Sequence, residues 1–310
     1  MAAQGTGTSV SGVLRRGAPR GVGTPLAGRW VVLHRVTMQQ GGPIDSVRTD
    51  AAGQWRIRVP AVDSEAIYVV SSMYAGLAYF SQPLHPVPGR GITADPLVVY
   101  DTGTTGPPLI LQRRLVTIAH PKEDGSRDVL ELLELVNPGF TTRIAPDTLR
   151  PVWAGAIPAA AIQFEVQSGD FSSDAVARRG DQVRLFGPLQ PGGFHQLSYA
   201  YTLPASVQAL ALPIDQPTVE LDLLLEDTLA QATAPGLRAG GVQPIERRFF
   251  MRYRTDSLPA GAPVRIAFPK APIRAERVLP FLVIAIAAAL AVGLWVALKR
   301  KQGAQSSPLQ

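Results

Sequence analysis

Along most of this chain apolar side chains recur at every second position, the spacing of a strand with one face turned inward. Trp55, Ile57 and Val59 alternate with Gln54, Arg56 and Arg58; Leu197, Tyr199, Tyr201 and Leu203 alternate with Ser198, Ala200 and Thr202. The same period runs through Ile162, Phe164 and Val166, through Val219, Leu221, Leu223 and Leu225, and through Phe249, Met251 and Tyr253. Shorter β-branched or aromatic runs at Ser9–Leu14, Trp30–Val36, Ile67–Val70, Leu77–Phe80 and Leu97–Tyr100 read as further strands. Glu131 and Glu134 are spaced for a helix, but Val129–Val136 ends in the turn Asn137-Pro138-Gly139 and is read as a strand. The expectation is a mainly β protein of short antiparallel strands.

One segment breaks the period. From Val278 to Leu298, 21 residues carry only apolar, Gly or Pro side chains. At about 1.5 Å per residue they make about 31 Å of helix, enough to span a hydrocarbon core of roughly 30 Å. Pro280 falls in the first turn, where its missing N–H costs little, beside Phe281, and Trp295 sits at interfacial depth near the other end. Val278, Pro280, Phe281, Trp295 and Leu298, followed by Lys299, Arg300 and Lys301, are the expected membrane anchor. No histidine lies in the run, so it offers no imidazole to a pigment or haem, and no cofactor is expected anywhere in the chain.

The remaining boundaries follow from punctuation. Residues 1–8 are a flexible lead, 9–85 a first β domain, 86–113 a Pro/Gly/Thr-rich connector, and 114–268 a second β domain. A basic segment 269–277, the span 278–298 and a polar tail 299–310 complete the chain. Regular turns between the short strands of the second domain imply a β-sandwich of immunoglobulin-like type.

In the first domain, Thr49-Asp50-Ala51-Ala52-Gly53-Gln54-Trp55 combines a turn-capping Asp, a Gly suited to positive φ and an aromatic that drops into the core. With Pro25-Leu26-Ala27-Gly28 before it, and Tyr68-Val69-Val70-Ser71, Tyr74 and Gly76 after it, residues 8–85 resemble the carboxypeptidase-regulatory-like domain. That resemblance implies a transthyretin-like β-sandwich, with Thr49, Asp50, Gly53 and Trp55 as its defining turn. It also implies an extracytoplasmic structural or adhesive module.

Charge adds a direction. The net charge is +6, spread along the chain, with only four lysines among 30 basic residues. Arg in place of Lys, with abundant Ala, Gly and Pro, suggests a GC-rich bacterial source, and no Lys/Arg stripe with interleaved aromatics points to nucleic acid. Arg265, Lys270, Arg274 and Arg277 precede the apolar run and are candidate contacts for lipid headgroups or a membrane partner. Basic residues on both sides leave orientation undecided by the positive-inside rule. Met1-Ala2-Ala3-Gln4-Gly5 reads like the end of a cleaved signal peptide. The expected location is therefore the bacterial inner membrane, bulk in the periplasm and C-terminus cytoplasmic; the alternative is a tail-anchored protein with its bulk in the cytoplasm.

Catalytic chemistry is thin. His34, His85, His120 and His195 lie in four separate segments, cysteine is absent, and no zincin, nucleophile-elbow, P-loop or dinucleotide motif occurs. Nucleotide is not an expected partner. Glu123, Asp124 and Asp128, and Asp215, Glu220, Asp222, Glu226 and Asp227, read as solvated strand faces and turns, with a weak calcium loop as the alternative. The sequence thus points to a non-catalytic anchored subunit whose partners are integral membrane proteins and lipid. Its layout is similar to single-helix periplasmic accessory subunits of bacterial photosynthetic reaction-centre and light-harvesting complexes. The competing expectation is an anchored glycan-binding module or adhesin, with Trp30, Trp55, Trp153 and Tyr74 as the candidate aromatic platform.

Overall fold

Alternation becomes sheet wherever two such segments can pair. The computed structural model describes residues 8–19 and 23–269. The first nine strands are β1 (Ser9–Arg16), β2 (Thr24–Pro25), β3 (Trp30–Val36), β4 (Gly41–Arg48), β5 (Gln54–Arg58), β6 (Ile67–Tyr74), β7 (Leu77–Phe80), β8 (Gly91–Thr93) and β9 (Leu97–Val99). β1 pairs antiparallel with β2 and β5 and parallel with β8 and β9, while β4-β3-β6-β7 form a separate antiparallel sheet. The two sheets share one core. Val10, Leu14, Trp55, Ile57, Leu97 and Val99 from the first meet Val31, Leu33, Tyr68, Val70 and Tyr79 from the second.

The turn before β5 shows how local chemistry fixes this arrangement. Asp50 Oδ1 accepts from the backbone N–H groups of Ala52 and Gln54 at 2.9 and 2.7 Å, and Thr49 Oγ1 donates to Leu26 O at 2.6 Å. Gly53 sits at φ +72°, and a Cβ there would lie 2.6 Å from Leu14 O. Gly12 on β1 is required for a different reason: the Trp55 indole lies across it, where a Cβ would come within 2.5 Å of the ring. Gly53→Ala is expected to cost about 1–2 kcal/mol for the left-handed backbone alone, and more for the backbone clash. Chemical denaturation measures it; a change below about 0.5 kcal/mol, the range of ordinary surface substitutions, would contradict this account.

The remaining strands are β10 (Thr102–Gly103), β11 (Ile110–Ile118), β12 (Arg127–Val136), β13 (Thr142–Arg143), β14 (Trp153–Ala156), β15 (Ile162–Val166), β16 (Val176–Arg179), β17 (Gln182–Leu185) and β18 (Phe194–Leu203), followed by β19 (Ala209–Leu212), β20 (Thr218–Leu225), β21 (Gln231–Thr233), β22 (Arg238–Ile245), β23 (Arg248–Thr255) and β24 (Val264–Ala267). A seven-stranded sheet runs β15-β18-β12-β11-β20-β23-β22; β14-β17-β16 and β19-β24-β21 form two smaller sheets. Trp153 Nε1 donates to Gln216, Arg114 Nη1 to Pro213 O and Tyr253 Oη to Ala230 O, binding large and small sheets together. The protein is mainly β; the described residues hold no α-helix, only a 3-10 turn at Ser173–Ala175.

The segment 86–113, expected as a connector, carries β8, β9, β10 and the start of β11, and Ala94, Leu97 and Val99 lie in the first core. Beyond it the two sheet systems are hydrogen-bonded to each other. β10 pairs in parallel with β13, and the buried Tyr79 hydroxyl donates to Tyr100 O at 2.8 Å and lies 2.9 Å from Thr142 Oγ1. The described residues through Ala267 belong to one compact unit.

Several details depart from the simple alternation, among them Val219 near the start of β20, which is exposed. Ile162 is exposed because β15 is an edge strand whose register shifts near Gln163, a residue at φ +52°. Phe249, expected inside, is exposed while Phe250 is buried, since the β22–β23 hairpin extends past the core. Ser198, Thr202 and Asp222, expected to face water, are buried. The apolar run with Val278, Pro280, Phe281, Trp295 and Leu298, the following Lys299, Arg300 and Lys301, and the preceding Lys270, Arg274 and Arg277 lie outside the described residues. Among the described residues no helix is long and apolar enough to cross a membrane.

Candidate functional site: an apolar sheet face and a buried ion pair

An antiparallel sheet with one face on a core ordinarily turns polar side chains to water on the other. The sheet β4-β3-β6-β7 does not. Its pairing register aligns Val32 with Ser46 and Ser71, His34 with Val69, Val36 with Ile67, and Ser71 with Phe80. The face opposite the core therefore carries Trp30, Val32, Val36, Ile67, Val69, Met73 and Phe80, and no carboxylate. Trp30, Val36, Ile67, Met73 and Phe80 remain 53, 40, 42, 61 and 60% exposed. Their open surface is on the order of 600 Å², at the upper end of the largest patch on an ordinary monomer and close to the roughly 800 Å² per partner of a standard protein interface.

Ser46, opposite Val32 on β4, is exposed, while the other polar groups on this face are engaged. His34 Nε2 lies 2.7 Å from Ser71 Oγ, with its ring 6.2 Å from that of Phe80. The Arg48 guanidinium rests 4.8 Å from the centroid of the Trp30 ring. Covering the face would thus bury apolar area without stripping His34 and Ser71 of a partner.

A second feature lies inside the seven-stranded sheet. The register sets Glu131 opposite Tyr199 on β18 and opposite Val116 on β11, next to Arg114. Arg114 Nε donates to Glu131 Oε2 at 2.8 Å, and Tyr201 and Tyr199 donate to the same carboxylate at 2.8 and 3.2 Å. Both charges are buried. Desolvation, then the charge of Glu131, raises Tyr199 and Tyr201 well above the ordinary tyrosine value. A folded-state pKa raised above the unfolded value near 10 contributes stability that is full below pH 10 and is lost as pH rises toward the folded value. The alkaline limb of the unfolding profile is expected to start near pH 10 and to flatten in Tyr199→Phe/Tyr201→Phe; an unchanged limb in that double variant would refute the assignment.

The other sequence-marked residues are dispersed. Trp55 and Trp153 are buried, and Tyr74 donates to Asp101 at 2.7 Å beneath Arg29. Arg265 is exposed on β24, opposite Ala211 and Thr233. Of the acidic residues, Asp124 caps Ser126, Glu226 accepts from His120 N, and Asp222 is held by Arg252. Among the described residues no three His, Asp or Glu side chains gather as metal ligands. Neither the apolar sheet face nor the Arg114–Glu131 pair was marked by sequence reasoning. The face leaves a trace in Trp30-Val31-Val32-Leu33 and Ile67-Tyr68-Val69-Val70, runs with apolar residues at both parities.

No protein-family model matches the chain, and no curated protein matches it. Among solved structures, it is similar to the M1 zinc metallopeptidase from Deinococcus radiodurans at 10% identity and TM-score 0.34, over 51% of this chain and 42% of that one. The chain therefore spans less than half the length of that peptidase. It is similar to BcpA, the major pilin subunit of Bacillus cereus, at 9% identity and TM-score 0.21, over 85% of this chain and 96% of that one. A putative carbohydrate binding protein from Bacteroides uniformis gives 11% identity and TM-score 0.17, over 62% of this chain and 78% of that one.

Proposed function

We propose that the chain is a non-catalytic structural subunit of a multi-subunit bacterial membrane complex. It is anchored by the apolar run 278–298 and docks its first sheet pair, a transthyretin-like sandwich, on a neighbouring subunit. The observation that carries this reading is the outward face of β4-β3-β6-β7, whose exposed apolar area lies at the upper end of what an ordinary monomer leaves open. The apolar run supports it by its length, which suits one crossing, and by offering no cofactor ligand. The periplasm is the side we assign to the β domains, on the resemblance of residues 8–85. A photosynthetic reaction-centre or light-harvesting assembly is one such complex.

A glycan-binding module is the second reading, and the exposure of Trp30 and Phe80 on one sheet face is what favours it. Of the four aromatics marked for such a platform, Trp55 and Trp153 are spent on the core. One experiment separates the two. Native membranes are solubilised mildly, the complex is purified through this chain, and its subunits and its pigment or haem absorbance are recorded. Stoichiometric integral membrane subunits are the expected result. Recovery of the chain alone, with glycan affinity, would replace the scaffold reading by the second one.

A further inference from the structure

The β22–β23 hairpin gathers three arginines at the edge of the seven-stranded sheet. Arg254 stands opposite Asp222 on one side and Arg238 on the other, and Arg252 stands opposite Leu224 and Gly241. Arg238, Arg252, Arg254, Gln243, Gly240 and Asp256 line an open hollow of about 360 Å³. Three guanidiniums and one carboxylate therefore face it. Like charges gathered so closely repel one another unless something holds them.

What holds them lies behind the hollow. Arg252 Nε donates to the buried Asp222 at 2.8 Å, and Arg254 Nη2 pairs with Glu220 at 2.9 Å. Arg113 completes the arrangement from β11, 2.9 Å from Glu220 and 3.6 Å from Asp222. Burial raises the Asp222 carboxyl, but the Arg252 hydrogen bond and charge outweigh it and hold the group below its usual range, so it stays ionised. In the hollow itself the engagement is loose. Asp256 meets Arg254 at 3.5 Å and Arg238 at 3.9 Å, longer than the roughly 2.7–2.9 Å of a charge-assisted hydrogen bond. Gly240 lines the hollow without a side chain, and a Cβ there would make only ordinary contact, 3.6 Å from Arg252 Cβ.

We propose that this hollow binds a tetrahedral oxyanion, a phosphate or the phosphate group of an ester, between Arg238, Arg252 and Arg254. Planar guanidinium forks match such oxygens in pairs, and the carboxylates behind them orient the forks in advance. Asp222 and Glu220 are positioning residues; the displaced group is Asp256. The site does not depend on the docking face or on the anchor.

The test uses the full chain in a neutral detergent, titrated with inorganic phosphate and, at matched ionic strength, with chloride. Saturable binding and a raised unfolding midpoint are expected with phosphate alone. Arg238→Gln, at a largely exposed side chain, and Gly240→Leu, which fills the hollow without changing charge, should each weaken phosphate binding at least tenfold while leaving the phosphate-free midpoint in place. Glycerol phosphate binding at least tenfold tighter than phosphate would identify an ester such as a phospholipid headgroup as the ligand; equal affinity would identify the free ion, and both support the site. Equal responses to phosphate and chloride, or undiminished binding in both variants, would overturn it.

Discussion

Truncating Glu131 to Ala is expected to cost about 3–5 kcal/mol of unfolding free energy, because it strands a buried guanidinium. Arg114 would keep one bond, from Nη1 to Pro213 O at 2.7 Å, and its Nη2 is buried without a hydrogen-bond partner even with Glu131 present. Two tyrosine hydroxyls would lose their acceptor as well. Coulomb attraction alone does not make this pair stabilising, since desolvating both ions opposes it. Replacing the whole network by apolar residues, as in Arg114→Met/Glu131→Leu/Tyr199→Phe/Tyr201→Phe, leaves no buried hydroxyl without an acceptor and is therefore expected to fall within about 1–2 kcal/mol of the parent or above it. Denaturant unfolding of the two variants separates these outcomes. An all-apolar variant as unstable as Glu131→Ala would mean that packing, not stranded polar groups, sets the loss.

How far such features can be read from sequence depends on the range of the interactions that produce them. Asp50, Gly53 and Trp55 act within a few residues of one another, and their roles are visible in the order of residue types. Val129–Val136 was separable from a helix because a turn follows it, and the strand extends back to Arg127. Pairing across long separations leaves no such trace. Arg114 and Glu131 look like surface residues on alternating strands; only the register with β18 places Tyr199 and Tyr201 on the same side and closes the core over them. Phe249 and Phe250 are adjacent, and which one turns inward is decided by how far the hairpin outruns the core. The hollow at Arg238, Arg252 and Arg254 is likewise a product of strand order, since β20 and β22 flank β23 although Asp222 and Arg252 are 30 residues apart in sequence. Residues 86–99 show the converse, a Pro/Gly-rich stretch whose Ala94, Leu97 and Val99 are brought into the first core by the pairing of β8 and β9 with β1.

Placing a carboxylate on the apolar sheet face, as Phe80→Glu or Met73→Glu, is expected to leave the fold in place and abolish assembly. Both side chains are mostly in water in the isolated chain, so the change in unfolding free energy should be about 0.5 kcal/mol, the range of surface substitutions. In a covered interface the same carboxylate would lose its hydration; His34, the ring beside position 80, is already engaged with Ser71, and Arg48 is held on the Trp30 ring. An unpaired buried charge costs several kcal/mol, and every 1.4 kcal/mol is a factor of ten in affinity, so recovery of partner subunits should fall at least a hundredfold. Trp55→Ala supplies the opposite control: it removes a core indole at about 3–5 kcal/mol and should lose assembly only in proportion to lost fold. If Phe80→Glu and Met73→Glu instead fold and recover their partners like the parent, the outward face of β4-β3-β6-β7 is not where this chain docks.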